Sequence, residues 1–215
     1  MNFLRCLIGA ILVVSVAQIS AKDIEEPFLL HFTNDAAQTA GIGLLKDSVL
    51  PEHSSEMRIW IGFGLVGPNQ MLRLRVNPDG IVSGEILVHF RSDLSYMSPT
   101  DVAEFRQDVM RNCTNLRKGK ESDVCTATFK RPPNWKSVLE KLVGLGVRTL
   151  PDESQLPKPE LDMLDGIAMV VEVRDGSNYR AYKYSNPSFR SQPEAVAASK
   201  IMDIAIAVFH QSNGG

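Results

Sequence analysis

The stretch 57-MRIWIGFGLVGPNQMLRLRVNPDGIVSGEILVHF-90 decides the fold. It holds three strand-like runs, at 57–66, 70–77 and 81–90, parted by Gly67-Pro68-Asn69 and by Asn77-Pro78-Asp79-Gly80. In the second turn, Pro78 is pre-set for a type I bend and Gly80 is free to take a positive φ in a bulge. A three-residue loop there pairs Asn77 with Ile81, Arg75 with Ser83 and Arg73 with Glu85. The same register sets Leu72, Leu74 and Val76 beside Ile86, Gly84 and Val82, so apolar and polar residues separate onto two faces. A four-residue loop in the first turn adds Ile59, Ile61, Phe63 and Leu65 to the apolar face. Trp60, Gly62 and Gly64 then join Arg73, Arg75 and Glu85 on the other.

Working outward, 22–56 reads as a lead-in segment with a short strand expected near 28–32. Ser98-Pro99-Thr100-Asp101 starts a helix, with a hydroxyl N-cap, Pro at the first position and an acid in the first turn. Val102, Phe105, Val109 and Cys113 follow at helical spacing, so Cys113 is expected to end that helix on its buried side. Arg117, Lys118 and Lys120 form a basic loop, read as solvated and able to satisfy helix C-terminal carbonyls, before a strand at 124–129. Asn134 caps a second helix carrying Trp135, Val138, Leu139, Leu142 and Leu145, which Gly144 and Gly146 end. The Pro-rich stretch 150–159 reads as a linker or extended loop. A second hairpin, 167–174 and 179–185, turns at Asp175-Gly176 and sets Met169, Val171 and Val173 on one face with Arg180, Tyr182 and Tyr184. Pro193-Glu194 opens a last helix with Ala197, Ile201, Ile204, Ala205 and Val208 as its apolar stripe. The expected fold is α+β: an antiparallel three-stranded meander plus a C-terminal hairpin, packed with about three helices.

The N-terminus sets the compartment. Arg5 precedes an apolar run at 7–16 that is too short to span a bilayer, and small residues close it at Ser15-Val16-Ala17 and Ile19-Ser20-Ala21. This is a secretory signal peptide over 1–21, cleaved near Ala21. It leaves 22–215 as a single globular domain with room for a sub-boundary near 130–134. Cys6 leaves with the signal, so Cys113 and Cys125 remain alone in an oxidising place and a disulfide is the default. Such a bridge would stabilise by roughly 3 kcal/mol in the chain-entropy model.

The bulk numbers restrict function. Removing Arg5 from 23 Lys+Arg leaves 22 against 25 Asp+Glu, a net charge of −3. Nucleic-acid binding needs a basic excess that this chain lacks. No second run approaches the roughly 20 apolar residues of a membrane span. No Gly-x-Ser-x-Gly elbow and no dinucleotide fingerprint occurs, and His31, His53, His89 and His210 are scattered without ligand spacing. Neither a metal nor a cofactor is expected, and no catalytic residue is assigned. Glu85 and Glu172 are the strand carboxylates open to a hydrolase reading, but Arg73 opposite Glu85 explains the first as an ion pair. Asn112-Cys113-Thr114 matches the glycosylation sequon.

Two surfaces are candidates for binding. One is the face with Trp60, Arg73, Arg75 and Glu85, where glycines admit a partner's backbone and arginines offer forked donors. The plainer reading, which weighs more, is that a helix packs there. The other is Arg180, Tyr182 and Tyr184 with Asn186, a set that also suits an ordinary sheet–helix core. In the C-terminal third, the order Trp135, Leu139, Gly146-Val147, Leu150-Pro151-Asp152, Leu164-Asp165-Gly166, Val171-Glu172, Tyr179-Arg180-Ala181-Tyr182 and Asn186-Pro187 resembles a module of uncharacterised secreted bacterial proteins. The resemblance implies a bacterial envelope protein of α+β fold and brings no activity or site residues with it. The expectation is a secreted or periplasmic non-enzymatic protein that binds another macromolecule in an inhibitor, immunity or accessory role. The alternative is an envelope glycan or peptide hydrolase working through carboxylates.

Overall fold

A computed structural model describes residues 29–63, 69–95, 97–111, 113–158 and 166–213. The expected signal peptide, Gly64 and Leu65, the sequon residue Asn112, and Pro159 through Asp165 lie outside the described residues. The chain is α+β. Its strands are β1 (Ser55–Gly62), β2 (Asn69–Val76), β3 (Val82–Arg91), β4 (Cys113–Arg117), β5 (Ser122–Ala127), β6 (Ala168–Asp175) and β7 (Asn178–Ser185). Its helices are α1 (Leu30–Thr39), α2 (Pro99–Arg111), α3 (Trp135–Gly144) and α4 (Pro193–Asn213).

The expected meander and hairpin are parts of one larger sheet. All seven strands join in the order β4-β5-β3-β2-β1-β6-β7, with every neighbouring pair antiparallel. The hairpin docks because β6 pairs with β1 along eight residues, Ser55 opposite Asp175 through Gly62 opposite Ala168. Long-range pairing of this kind leaves no local mark in sequence.

Local registers follow the alternation of the residues. Arg73 lies opposite Glu85, Leu74 opposite Gly84 and Arg75 opposite Ser83. Asn77 N–H donates to Ile81 O at 3.0 Å, and Gly80 takes φ +79°. In the second hairpin Val173 faces Arg180 and Val171 faces Tyr182. Ser98 Oγ accepts from the Asp101 N–H at 3.2 Å, and Asn134 Oδ1 accepts from the Ser137 N–H at 3.1 Å, as their capping positions require.

One sheet face carries the main core: Ile59, Leu72, Leu74, Ile86, Met169, Val171, Tyr182 and Tyr184, against Leu142 of α3 and Ala198, Ile201 and Ala205 of α4. Phe105 of α2 meets Phe90 edge-on at 5.3 Å between ring centres. In α4 the fully buried positions are Ala195, Ala198, Ile201, Met202, Ala205 and Val208. Ala197 and Ile204 are only partly buried, so the expected stripe is rotated towards the small residues. Gly84 is the seat for Trp135, since a Cβ there would lie 2.5 Å from the indole ring.

The other sheet face is covered by α1, where a strand was expected near 28–32. Leu30, Ala36 and Ala37 pack on Trp60, Met71, Leu87, Val124 and Val170. Alanine and threonine at these helical positions hide the periodicity that marks a buried face. Helices therefore lie on both sides of the sheet.

Cys113 opens β4 instead of ending the preceding helix, which stops at Arg111. Its backbone joins the sheet edge opposite Ala127. The Cys113–Cys125 disulfide forms with Cα atoms 5.6 Å apart, so it ties adjacent strands. The basic residues beyond it work as fasteners. Arg117 donates to the Ala40 carbonyl at the end of α1, and Lys118 pairs with Asp123. Stretch 150–158 runs along β7, where Asp152 accepts from the Lys183 N–H at 2.8 Å and Glu153 from the Ser185 N–H at 2.7 Å. Phe63 also departs from its expected face: its backbone turns left-handed at φ +64° and its ring joins the α1 cluster.

Gly84→Ala should lower stability by about 1–3 kcal/mol by forcing Trp135 out of its seat. Pairing it with Trp135→Leu should recover part of that loss in urea unfolding, and strict additivity of the two losses would mean that the seat does not exist.

Candidate functional site

The α1-covered face changes character along its strands. Near one end a row runs Ser83, Arg75, Glu56, Arg174 and Tyr179 across β3, β2, β1, β6 and β7. The next row runs Glu85, Arg73, Arg58, Glu172 and Ala181. The third is largely apolar: Leu87, Met71, Trp60, Val170 and Lys183. Asn69 opposite His89 begins the far end.

Glu56 joins the two charged rows. Its Oε1 accepts from Arg58 Nε and Arg73 Nε, each at 2.7 Å, and its Oε2 accepts from Arg73 Nη2 at 2.9 Å. The Arg73–Glu85 pair expected from the register forms at 2.8 Å. Burial by itself would raise the Glu56 pKa, but the hydrogen bonds and charges of Arg73 and Arg58 outweigh it and hold the carboxyl below its usual range. Arg58 is 1% exposed and reaches past Glu56 to the Gly43 carbonyl at 2.7 Å and the Ile42 carbonyl at 3.2 Å. Arg174 donates to the Lys46 carbonyl at 2.7 Å. The face that looks polar in sequence is therefore internal, and its charges bind the main chain of the covering segment.

Of the seven expected binding residues, Trp60, Tyr182 and Tyr184 are interior, Arg73, Glu85 and Arg180 are half-buried, and Arg75 is exposed. Trp60 is 1% exposed, and its indole N–H donates to Glu172 Oε2 at 2.7 Å. Glu172 also accepts from the Tyr179 hydroxyl at 3.1 Å, and its burial raises its pKa against the opposing pull of Arg58 and these two hydrogen bonds. Tyr182 and Tyr184 are fully buried on the core face, the Tyr182 hydroxyl donating to the Val147 carbonyl at 2.8 Å. Arg180 lies over the Tyr182 ring at 5.2 Å and donates to the Arg148 and Leu150 carbonyls. A helix packs over Trp60, and Tyr182 and Tyr184 lie in a sheet–helix core. Arg73 is engaged by Glu56 and Glu85, while Arg75 is exposed and makes no ion pair among the described residues.

Arg75 lines a cleft of about 280 Å³ at the charged end of this face, between the loop bearing Ser48, Leu50 and Pro51 and the hairpin tip at Asn77 and Pro78. Glu56, Arg58 and Arg73 lie along its inner side. Val49 within this loop is 93% exposed and Ile81 beside the tip is 59% exposed. Sequence reading found Arg75 through its strand register. It missed the loop, because 48–51 has no pattern of its own and gains its position only when Arg58 and Arg174 hold the preceding turn.

No cluster of His, Cys, Asp or Glu among the described residues is arranged to hold a metal ion. No helix among them is long and apolar enough to cross a membrane. The chain matches no protein-family model and no curated protein.

Glu56→Gln should cost on the order of 3–5 kcal/mol, because it leaves Arg58 and Arg73 buried without their shared counter-charge. His89, fully buried edge-on to Trp60, has its pKa pushed down to about 4 by burial. The unfolded chain then takes up a proton near pH 6.5 that the native state refuses until about pH 4. Stability should therefore fall across that window by up to about 3 kcal/mol from this residue. In His89→Gln this part of the acid limb should vanish from unfolding curves recorded between pH 7 and pH 4.

Proposed function

We propose that this is a secreted or periplasmic, non-enzymatic protein that binds another macromolecule in an inhibitor, immunity or accessory role. The single observation that carries the reading is Arg75: an exposed guanidinium, without an ion pair among the described residues, in a cleft lined by Leu50, Pro51 and Pro78, with exposed Val49 in the same loop and exposed Ile81 next to the hairpin tip. Unpaired arginine beside apolar side chains is the composition of an interface centre rather than of ordinary surface. The complement is an extended protein segment with a carboxylate for Arg75 and an apolar side chain for the wall made by Leu50, Pro51 and Pro78. The network behind it, Glu56 with Arg58 and Arg73, keeps the cleft pre-formed, which lowers the ordering cost of binding. An envelope setting agrees with the resemblance of the C-terminal third to secreted bacterial modules.

The hydrolase alternative draws no support from its own carboxylates. Glu85 is held by Arg73 and Glu172 by Trp60 and Tyr179. A raised pKa suits a general acid, but Glu172 is 5% exposed and does not line the cleft.

The test is affinity capture from the protein's own cell-envelope extract, with salt elution and mass spectrometry. Wild type should retain one dominant stoichiometric partner, and Arg75→Glu and Val49→Asp should each weaken it by about tenfold or more. Lys136→Glu on the exposed side of α3 should leave it unchanged. An empty bait, or a partner indifferent to Arg75→Glu, sinks the reading.

A further inference from the structure

At the opposite end of the α1-covered face from Arg75 there is a larger cavity, of about 510 Å³. That volume falls within the range of small-molecule sites. His89 on β3 lines it, 2% exposed, and its Nε2 has no hydrogen-bond partner. A buried polar atom left alone is costly, and native structures rarely tolerate one without a compensating ligand or water. Here the lone nitrogen belongs to the lining of a space large enough for a ligand.

The remaining lining narrows the chemistry. Phe63 and Leu29 provide apolar wall. Phe63 is a bulky residue held at φ +64° by the bond from its N–H to Asn69 Oδ1 at 2.7 Å, so its place in the wall is maintained against local strain. Asn69 adds an amide. Exposed Arg91, Asp93, Lys120 and Glu121 supply two cations and two carboxylates, which leaves no net charge. An anion or a cation would meet repulsion from half of these groups. An alkyl chain would leave His89 and the charged groups unmatched.

Hydroxyl groups fit this mixture, because each both donates and accepts. A hydroxyl meets carboxylate, ammonium and either tautomer of a neutral imidazole equally well. The C–H face of a sugar ring suits the Phe63 wall. We propose that the His89 cavity binds an uncharged saccharide of one or two rings, with a hydroxyl on His89 Nε2, further hydroxyls on Asn69, Asp93 and Lys120, and the ring against Phe63. This site is separate from the Arg75 cleft and does not rest on it.

The test uses imidazole ¹⁵N spectra of the full chain during titration with glucose, N-acetylglucosamine and maltose, and with benzoate and phosphate as anionic comparisons. At least one of the three sugars should move the His89 Nε2 resonance saturably. Calorimetry should show that sugar bound about tenfold more weakly by Lys120→Ala, an exposed-site change that leaves the core intact. His89→Phe should abolish binding, and if that variant does not fold, Lys120→Ala carries the test. The proposal fails if no sugar gives a saturable response, if only benzoate or phosphate does, or if Lys120→Ala binds the sugar as wild type does.

Discussion

The carboxylate of Glu56, shared between Arg58 and Arg73, is the constraint on which the rest of the α1-covered face depends. Two guanidiniums side by side on adjacent strands would repel one another without it. With it, Arg58 is fixed in an orientation that leaves both terminal nitrogens for the Ile42 and Gly43 carbonyls. The turn after α1 is thereby fastened to the sheet by a charge–dipole contact rather than by hydrophobic packing. Such a network contributes little net stability compared with an apolar replacement, but it defines one arrangement of the chain and penalises others.

The same device recurs around the molecule. Arg174 holds the Lys46 carbonyl, Arg117 the Ala40 carbonyl, and Arg180 the Arg148 and Leu150 carbonyls. Each guanidinium grips main chain in a connection that has few apolar residues of its own. Arginine suits this task because its planar fork offers several donors in fixed directions and stays charged when buried. Arg75 stands apart because no carbonyl or carboxylate among the described residues accepts from it, and it lies where the loop and the hairpin tip leave space.

What was legible in the sequence was whatever is written within about thirty consecutive residues. The Pro78–Gly80 turn and strict alternation brought Arg73 opposite Glu85, and Asp175-Gly176 brought Val173 opposite Arg180. The union of the two hairpins through β1 and β6 was not legible, since it joins residues more than a hundred positions apart. Nor was α1, whose buried side begins with Leu30 but continues with Thr33, Ala36 and Ala37 and therefore lacks a continuous apolar stripe. Arg73 and Arg75 lie on one face of one strand, and the register already set the first opposite Glu85 and the second opposite Ser83. What the register could not show is that Glu56, directly across from Arg75 on the neighbouring strand, gives its carboxylate to Arg73 and Arg58 instead. Trp60 misleads for a related reason: an aromatic beside arginines suggests a recognition surface until a helix is found over it.

The carboxylates of Asp152 and Glu153 also have a bearing on how this protein meets its neighbours. They take the Lys183 and Ser185 amide hydrogens on the last strand, while at the far edge β4 is only five residues long and is broken by Asn115 at φ +55°. A row of open amides at either border would serve as a template on which other extended chains could grow. Here two amides at one end of one border are already taken by carboxylates, and the other border is short and bent. Strand addition is hindered at the Lys183–Ser185 end of one margin and along the short, bent β4 at the other, which favours recognition by side chains and concave surfaces, where it can be selective.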